Sequence, residues 1–476
     1  METVVIAVLM AAVGLFYHWT VKTAGGFNPP GEEDYYNFLV RGWRMGQLHM
    51  AKTPHAEMKA LADPYDPKQN GPFRLADASY YKGNYYLYFG AAPALAVMVP
   101  YGLVTGRELG TTSAIFVFCL TGFIAASTVW LKIRVRYFPG SSLVIALAGV
   151  LALGLGTHVL ALQRRPLVWE LPIASAYSFS MIALLLLFHA ITRRWVVGWL
   201  AVGLTFGLAI ASRPLHLIGL IAFAPIVIWA WRDRALGHAP HFRGLMWGGV
   251  GIALCIATIC AHNYARFDHP LEFGQNYQLS GVYESKMRHF GLDYLVHNLG
   301  IYFLSVPKVA SAFPFIAATA THTGPTGYLA EWNEAVCGFI ISSPLVLCGL
   351  GWRLGWRERT DGDDKAFKVL SSCVMIFAAA MAVAMLSYFL ATPRYMVDFA
   401  PALLLVALLG MLQIERRLQG RRGLSVFYSV VSCSVLVTTG MGILLSFDYH
   451  GRIFKVTAPA QWERLERTFS LASPAR

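Results

Sequence analysis

Long apolar stretches, separated by short polar segments, run through almost the whole chain. A helix needs about 20 consecutive apolar residues to cross the hydrocarbon core of a bilayer. Twelve stretches approach this length: residues 3–20, 85–105, 112–131, 141–160, 171–192, 195–212, 214–231, 245–263, 334–352, 369–391, 396–414 and 424–446. The pattern predicts an all-α protein built as a polytopic bundle of membrane helices.

Lysine and arginine residues indicate how the spans are oriented, because loops on the cytoplasmic side carry an excess of positive charge. Basic clusters occur at residues 132–136, 193–194, 232–243, 353–368 and 416–422, and the turns between them hold fewer. These clusters fall on one side only if the stretch 85–105 does not cross the membrane. That stretch contains Pro93 and Pro100 and begins among five tyrosines, a composition typical of a helix that lies in the membrane interface.

We therefore predict eleven spans in one membrane domain, residues 1–476, with the amino terminus inside and the carboxyl terminus outside. The first outer loop covers residues 21–110 and contains juxtamembrane helices, the second large outer loop covers 264–333, and an outer tail covers 447–476. The long polar segments, where chemistry could take place, would then all face one side of the membrane.

The composition agrees with a membrane protein and argues against nucleic-acid binding. The chain is 56% hydrophobic and 14% charged, whereas a soluble domain has about 25% charged residues. Its net charge of +13 comes from the short clusters between apolar stretches, which is the distribution that membrane topology produces. The seven cysteines lie in or beside apolar segments without the spacing of metal ligands, so we interpret them as small hydrophobic residues.

A group of acids directly follows the first span. Glu33, Asp34 and Tyr36 come after a Pro–Gly break, which is typical of the amino terminus of a helix, where a carboxylate faces the positive end of the helix dipole. Such acids can simply charge and solubilise the start of a helix. Alternatively, a carboxylate held beside aromatic rings can act as a base that takes the proton of an acceptor hydroxyl, and Asp34 is the stronger candidate for this role.

The first outer loop contains a second candidate for substrate binding. Asp77 belongs to a stretch, residues 75–89, that holds one lysine and six aromatic side chains. Part of this stretch is typical of an aromatic belt at the membrane surface, and the rest could line a site for a sugar or a lipid headgroup.

Two of the predicted outer turns contain arginine residues. Arg164 and Arg165 precede Glu170, and they would either bind an anionic ligand or form a salt bridge with this acid. Arg394 and Tyr395 occupy a very short turn, where an arginine can clamp a phosphate with paired N–H donors or simply snorkel to the interface.

The second large loop adds further charged residues, and His322 is the candidate for substrate contact that we take from it. The chain contains no phosphate loop, dinucleotide fingerprint, zinc pair or nucleophile elbow. An enzyme on the outer face also lacks a supply of nucleotides, so sugar chemistry there would need a lipid-linked donor.

These motifs together resemble the integral-membrane glycosyltransferases of superfamily C, the group that contains protein O-mannosyltransferases and bacterial lipid A aminoarabinose transferases. The matching features are Glu33–Asp34 with Tyr36, the stretch from Asp77 to Phe89 followed by Gly90 to Pro93, Glu170, and Arg394–Tyr395 followed by Pro401. The likeness in layout spans the whole chain, but each motif is short. The family usually has its acidic pair in the order Asp–Glu, whereas this chain has Glu33–Asp34, which leaves open which of the two is the base.

The resemblance implies an enzyme that transfers a sugar from a polyprenyl-phosphate donor with inversion of the anomeric centre. It implies that Asp34 acts as the base, that Glu33, Asp77 and Glu170 orient the substrates, and that Arg394 holds the donor phosphate. The acceptor would be a glycan, a lipid or a protein. We expect a bacterial inner-membrane protein whose site faces the periplasm, with no cofactor, although a divalent metal stays possible.

Two other classes compete with this interpretation. A membrane transporter or lipid-linked saccharide flippase would need buried ionisable groups or a repeated half, and residues 369–393 and 424–447 contain no ionised side chain. An outer-face polysaccharide polymerase or ligase would use similar chemistry but typically has more arginine in its outer loops.

Overall fold

The computed structural model describes residues 1–27, 31, 34–193, 195–235, 240–354, 356 and 362–469. Helices α1 to α6 are Glu2–Thr23, Tyr35–Arg44, Ala56–Ala60, Pro67–Asn70, Val99–Thr105 and Thr111–Tyr137. Helices α7 to α12 are Leu143–Leu155, Val159–Arg164, Glu170–Thr192, Val196–Ser212, Ala224–Ala235 and Pro240–Phe267. Helices α13 to α18 are Asp293–Leu299, Phe339–Ser342, Gly362–Leu386, Ala400–Leu418, Gly423–Thr457 and Pro459–Phe469.

Strands are confined, in the described part of the chain, to two short antiparallel hairpins. Ser79–Tyr81 (β1) pairs with Asn84–Tyr86 (β2), and Lys308–Val309 (β3) pairs with Ile316–Ala317 (β4). The longer 3-10 helices are Pro214–Phe223, Pro344–Gly351 and Pro393–Asp398, and π-helical turns occur at Ala94–Met98 and Gly300–Leu304.

Eight helices among the described residues are long and apolar enough to cross a membrane. They are Glu2–Thr23, Thr111–Tyr137, Leu143–Arg164, Glu170–Thr192, Pro214–Arg232, His241–Phe267, Asp364–Leu386 and Gly423–Thr457. The predicted polytopic all-α fold is therefore confirmed. Helix α10 has 17 residues, α16 has 19, and the predicted span 334–352 is split into α14 and the 3-10 helix that follows it.

Burial distinguishes the central helices from those that face lipid. A helix that is apolar on all sides lies either inside a bundle or against the membrane. In its most apolar window α9 is 78% buried, whereas α12 is 17% buried. Helix α9 therefore lies at the centre of the bundle, and α12 lies at its surface.

Contacts between distant segments define the two ends of the bundle. At one end Arg134 forms an ion pair with Glu2, and Glu415 accepts hydrogen bonds from the amide of Ser142 (2.9 Å) and the hydroxyl of Tyr428 (2.7 Å). Two of the basic clusters predicted to lie inside, residues 132–136 and 416–422, are at this end.

The predicted outer segments meet at the opposite end. The Thr457 hydroxyl donates to the carbonyl of Thr23 at 2.9 Å, which joins the tail to the end of α1. The amide of Asp77 donates to the carbonyl of Leu279 at 2.7 Å and thereby joins the first large loop to the second.

The stretch 85–105 does not form a span. The π turn and α5 together cover Ala94–Thr105, which corresponds to about 18 Å of helix, whereas the hydrocarbon core is about 30 Å thick. Leu103 and Val104 are 82% and 85% exposed. This segment therefore has the length and the outward apolar side chains of an interface helix, as predicted.

Candidate active site

A compact group of charged side chains lies at the end of the bundle where the large loops meet. We call Arg165, Glu170, Glu334, Arg394 and His450 the arginine–glutamate cluster. Arg165 Nη2 lies 3.2 Å from Glu170 Oε1 and 2.8 Å from Glu334 Oε1. Arg394 Nη1 lies 2.7 Å from Glu334 Oε1 and 3.9 Å from Glu170 Oε1. The two arginines thus share the same two carboxylates.

His450 is the fifth member of this cluster. It lies where α17 is interrupted, because residues 449–452 have non-helical backbone angles. Its Nδ1 is 3.1 Å from Glu334 Oε2, and its Nε2 is 3.0 Å from the carbonyl of Ala161. These two contacts hold the imidazole between Glu334 and α8.

Glu334 is held in its ionised form by its neighbours. Burial by itself would raise the pKa of Glu334, but the hydrogen bond to His450 and the positive charges on Arg394 and Arg165 together keep that pKa well below its ordinary value. Glu334 is therefore a counter-ion for the arginines and a poor proton acceptor at neutral pH.

Arg394 also lines a cavity of about 380 Å³ that contains a second arginine, Arg213. Both guanidinium groups are close to the ring of Tyr395, whose centroid is 5.1 Å from Arg213 Cζ and 5.2 Å from Arg394 Cζ. Arg213 is paired with Asp398 at 2.9 Å. The Nε atoms of both arginines are buried and have no hydrogen-bond partner among the described residues. The accessible part of each side chain, 17% for Arg213 and 12% for Arg394, is what can contact a ligand.

The cavity also has apolar lining residues on helices that are apolar enough to cross a membrane. They include Leu215, Leu217, Ile218 and Met385. Leu217 and Ile218 are 50% and 48% exposed on the 3-10 helix that begins the span Pro214–Arg232. The cavity therefore joins a cationic pole to a surface that contacts lipid tails.

A close approach of two backbones shapes the third wall. A Cβ atom on Gly90 would lie 2.0 Å from the carbonyl oxygen of Ala211 and 2.4 Å from that of Ser212, so only glycine fits there. The hydroxyl of Tyr36, which is fully buried, donates to the Gly90 carbonyl at 3.1 Å. Tyr36 thus positions the cavity wall and does not itself line the cavity.

Asp77 lies next to the cavity and fixes one of its aromatic walls. Its backbone adopts a φ of +58°, which aspartate tolerates better than most residues. Its carboxylate accepts hydrogen bonds from Trp169 Nε1 (3.0 Å) and Gln278 Nε2 (2.8 Å), and Trp169 is a lining residue. Burial raises the pKa of Asp77, although these two hydrogen bonds and the charge of Arg394 oppose the shift.

Asp34 caps two helices. Its carboxylate accepts from the amide of Asn37 (3.1 Å) at the start of α2 and from the amide and hydroxyl of Thr111 (3.0 and 2.8 Å) at the start of α6. The predicted helix start is confirmed. Asp34 is not among the residues that line the cavity with Arg394, and Glu33 lies outside the described residues.

Two other predicted residues lie apart from the cluster. Arg164 is buried, donates to the carbonyl of Ser446 (2.8 Å) and the hydroxyl of Thr23 (2.6 Å), and stacks on the ring of Phe454. It joins α1, α8 and α17, whereas the neighbouring Arg165 makes the salt bridge with Glu170. His322 is exposed in the second large loop and lines none of the described cavities.

Arg213, Glu334 and His450 were not predicted from the sequence as site residues. Arg213 had the same signal as Arg394, since both are single arginines beside a proline in a short turn on the outer side. Glu334 and His450 had no local signal, because their partners are 60 or more residues away along the chain. No group of three or more metal-ligating side chains occurs among the described residues.

The fold and this site define a polytopic α-helical membrane protein with a charged cavity that opens towards lipid. No protein-family model and no curated protein matches the chain. One similar solved structure is ArnT from Cupriavidus metallidurans in the apo state, with 16% sequence identity and a TM-score of 0.48; the match covers 96% of this chain and 78% of that chain. Another is the same protein bound to undecaprenyl phosphate, with 14% sequence identity and a TM-score of 0.49; the match covers 96% of this chain and 79% of that chain. The apo oligosaccharyltransferase of Archaeoglobus fulgidus is also similar (13% identity, 98% of this chain, 60% of that chain, TM-score 0.43).

Proposed function

We propose that the protein transfers a sugar from a polyprenyl-phosphate donor to an acceptor hydroxyl on the side of the membrane that carries the large loops. The cavity that joins two arginines to a lipid-facing apolar wall carries this proposal. A polyprenyl phosphate has the same two parts, an anionic head and a long apolar tail. By the positive-inside bias the site would face the periplasm of a bacterial inner membrane.

The arginines would act on the leaving group. As the acceptor oxygen bonds to the anomeric carbon, the bond between that carbon and the phosphate oxygen breaks, and the electron pair leaves with the polyprenyl phosphate. The guanidinium groups of Arg394 and Arg213 both line the cavity and can bind this developing negative charge. Such direct displacement inverts the anomeric centre and needs no covalent enzyme intermediate.

The base that takes the acceptor proton would be a carboxylate at the same end of the bundle. Among the described acids Asp77 fits this role best, because its pKa is raised and it contacts a lining residue. Asp34 uses its oxygens to cap α2 and α6. Asp34 and Glu33 remain the bases that the family resemblance implies, so the experiment must compare all three acids.

Transfer of label from radiolabelled polyprenyl-phosphate sugars to membrane extracts tests the proposal. We expect Asp77→Asn to lower the transfer rate by about 100-fold or more, which is the usual contribution of a general base. Asp63→Asn is the matched control, since Asp63 lies in the same loop and accepts from the amide of Tyr65. A parallel arm with a chelator tests the dependence on a divalent metal.

Two results would change this proposal. If Asp77→Asn transfers sugar at the wild-type rate while a folded Asp34→Asn or Glu33→Gln variant does not, the base is in the first acidic pair. If no polyprenyl-phosphate sugar donates label, glycosyl transfer is wrong and the flippase alternative has to be tested in proteoliposomes.

A further inference from the structure

A second charged cavity lies at the other end of the bundle, where α6 and α9 end. It is an open groove of about 380 Å³, which we call the basic groove. Its lining residues are Thr128, Leu131, Lys132, Val135, Arg136, Phe188, His189, Thr192 and Arg193. Three of these side chains are lysine or arginine, and none is an acid.

The spacing of basic residues on α6 explains this groove. Lys132 and Arg136 are four residues apart and therefore share one face of the helix. Arg134, which lies between them in sequence, points to another face and forms its ion pair with Glu2. Helix α6 thus directs Arg134 towards Glu2, whereas Lys132 and Arg136 line the groove.

Two of the three cations of the groove have no neutralising partner among the described residues. Lys132 and Arg193 form no ion pair or hydrogen bond with any described residue. Nδ1 of His189 is buried and has no hydrogen-bond partner among the described residues, and this side chain lines the groove as well. Snorkelling would explain single cations at the membrane surface, but it does not explain why they converge with an unpartnered imidazole in one depression.

The position and the flanks of the groove match a phospholipid. The apolar part of α6 ends directly before Lys132, which places the cations at the level of lipid headgroups. Leu131, Val135 and Phe188 add apolar surface to the same lining, and Val135 is 64% exposed. An acyl chain could therefore lie along α6 while its phosphate contacts the cations.

We propose that the basic groove binds the phosphate headgroup of an anionic phospholipid from the leaflet on this side of the membrane. Basic pockets between transmembrane helices on the cytoplasmic side are a recognised way of binding such headgroups. The site is separate from the arginine–glutamate cluster, so this inference does not depend on glycosyl transfer.

Binding of short-chain phosphatidylglycerol to the delipidated protein in detergent, followed by native mass spectrometry, tests this site. We expect the double variant Lys132→Gln/Arg193→Gln to bind about 30-fold more weakly, since each cation near an anionic lipid is worth about a factor of five. Arg421→Gln/Arg422→Gln is the matched control, because it removes the same charge from exposed residues at the same end of the bundle. Lys132→Arg should keep the affinity.

Each outcome of the lipid-binding experiment either supports or overturns the proposal. Preference for phosphatidylglycerol over phosphatidylcholine, lost only in the groove variant, supports the proposal. Equal losses in both double variants would mean a general surface-charge effect and would overturn it, as would equal binding of the two lipids. If inorganic phosphate competes as well as the lipid does, the groove binds free phosphate instead. Thermal unfolding of each variant excludes a folding defect as the cause.

Discussion

Replacement of Arg394 by lysine probes the phosphate site most directly. Lysine keeps the positive charge but lacks the planar fork of donors. In the structure Nη1 of Arg394 is bonded to Glu334 at 2.7 Å, while Nε is buried and unpartnered. A lysine ammonium can keep the contact with Glu334, but it cannot hold a second donor at a fixed angle to the first, as the guanidinium does.

The expected loss of phosphate affinity follows from the loss of one hydrogen-bond donor. A hydrogen bond to a charged group is worth about 1.5–3 kcal/mol, so loss of one such bond to the phosphate weakens binding by about 10-fold to 150-fold. Because the charge is retained, Glu334 and Glu170 keep their counter-ion. We therefore expect a loss of affinity without a comparable loss of stability.

The assay is equilibrium binding of radiolabelled undecaprenyl phosphate to the purified protein in detergent. Arg288→Lys is the control, because Arg288 is half exposed, pairs with Asp293 and does not line the cavity. Unchanged affinity in a correctly folded Arg394→Lys variant would refute the assignment of this arginine to the phosphate. A parallel loss in Arg288→Lys would show that the assay reports general charge.

Three further predictions concern the support of the site. Tyr36→Phe removes the hydrogen bond to the Gly90 carbonyl and should lower the free energy of unfolding by about 1 kcal/mol; an unchanged thermal midpoint would contradict this. Gly90→Ala places a Cβ against the carbonyl of Ala211 and should lower the free energy of unfolding by about 1–3 kcal/mol. The control is Gly31→Ala, whose Cβ would meet no described atom within 4 Å and which should leave the thermal midpoint unchanged. Because the pKa of Glu334 is lowered in the folded state, its stabilising contribution is present above the unfolded pKa of about 4.3 and is lost as the pH falls below it. Glu334→Gln should therefore flatten the acid side of the stability profile, and an unaltered slope would show that Glu334 makes no such contribution.

Short-range patterns in the sequence were sufficient to predict the fold class. Hydropathy and basic clusters are properties of short segments, and the bilayer acts on each segment separately. The eight long apolar helices and the short segment 94–105 follow from these patterns. The break of α7 from α8 at His158, where φ is +61°, had no such signal. This residue is held by partners on distant helices, such as the Tyr449 hydroxyl at 2.7 Å.

The sequence predicted only some residues of the site. Residues that contact a near neighbour along the chain could be predicted, and residues whose partners are distant in sequence could not. Arg165 with Glu170 and Arg394 with Tyr395 are local pairs, and the motifs therefore pointed to them. The bond from Glu334 to Arg394 spans 60 residues and that from Glu334 to His450 spans 116, and no short-range pattern records such pairings.

The sequence by itself thus determined that the chain crosses a membrane repeatedly and that its large polar loops share one side. Only the tertiary structure decided that Arg213 and Arg394 flank the same tyrosine and that Asp34 caps helices while Asp77 borders the cavity wall. The physical reason is that transfer into lipid is set by the composition of each segment, whereas the pairing of charges depends on which helix ends pack together.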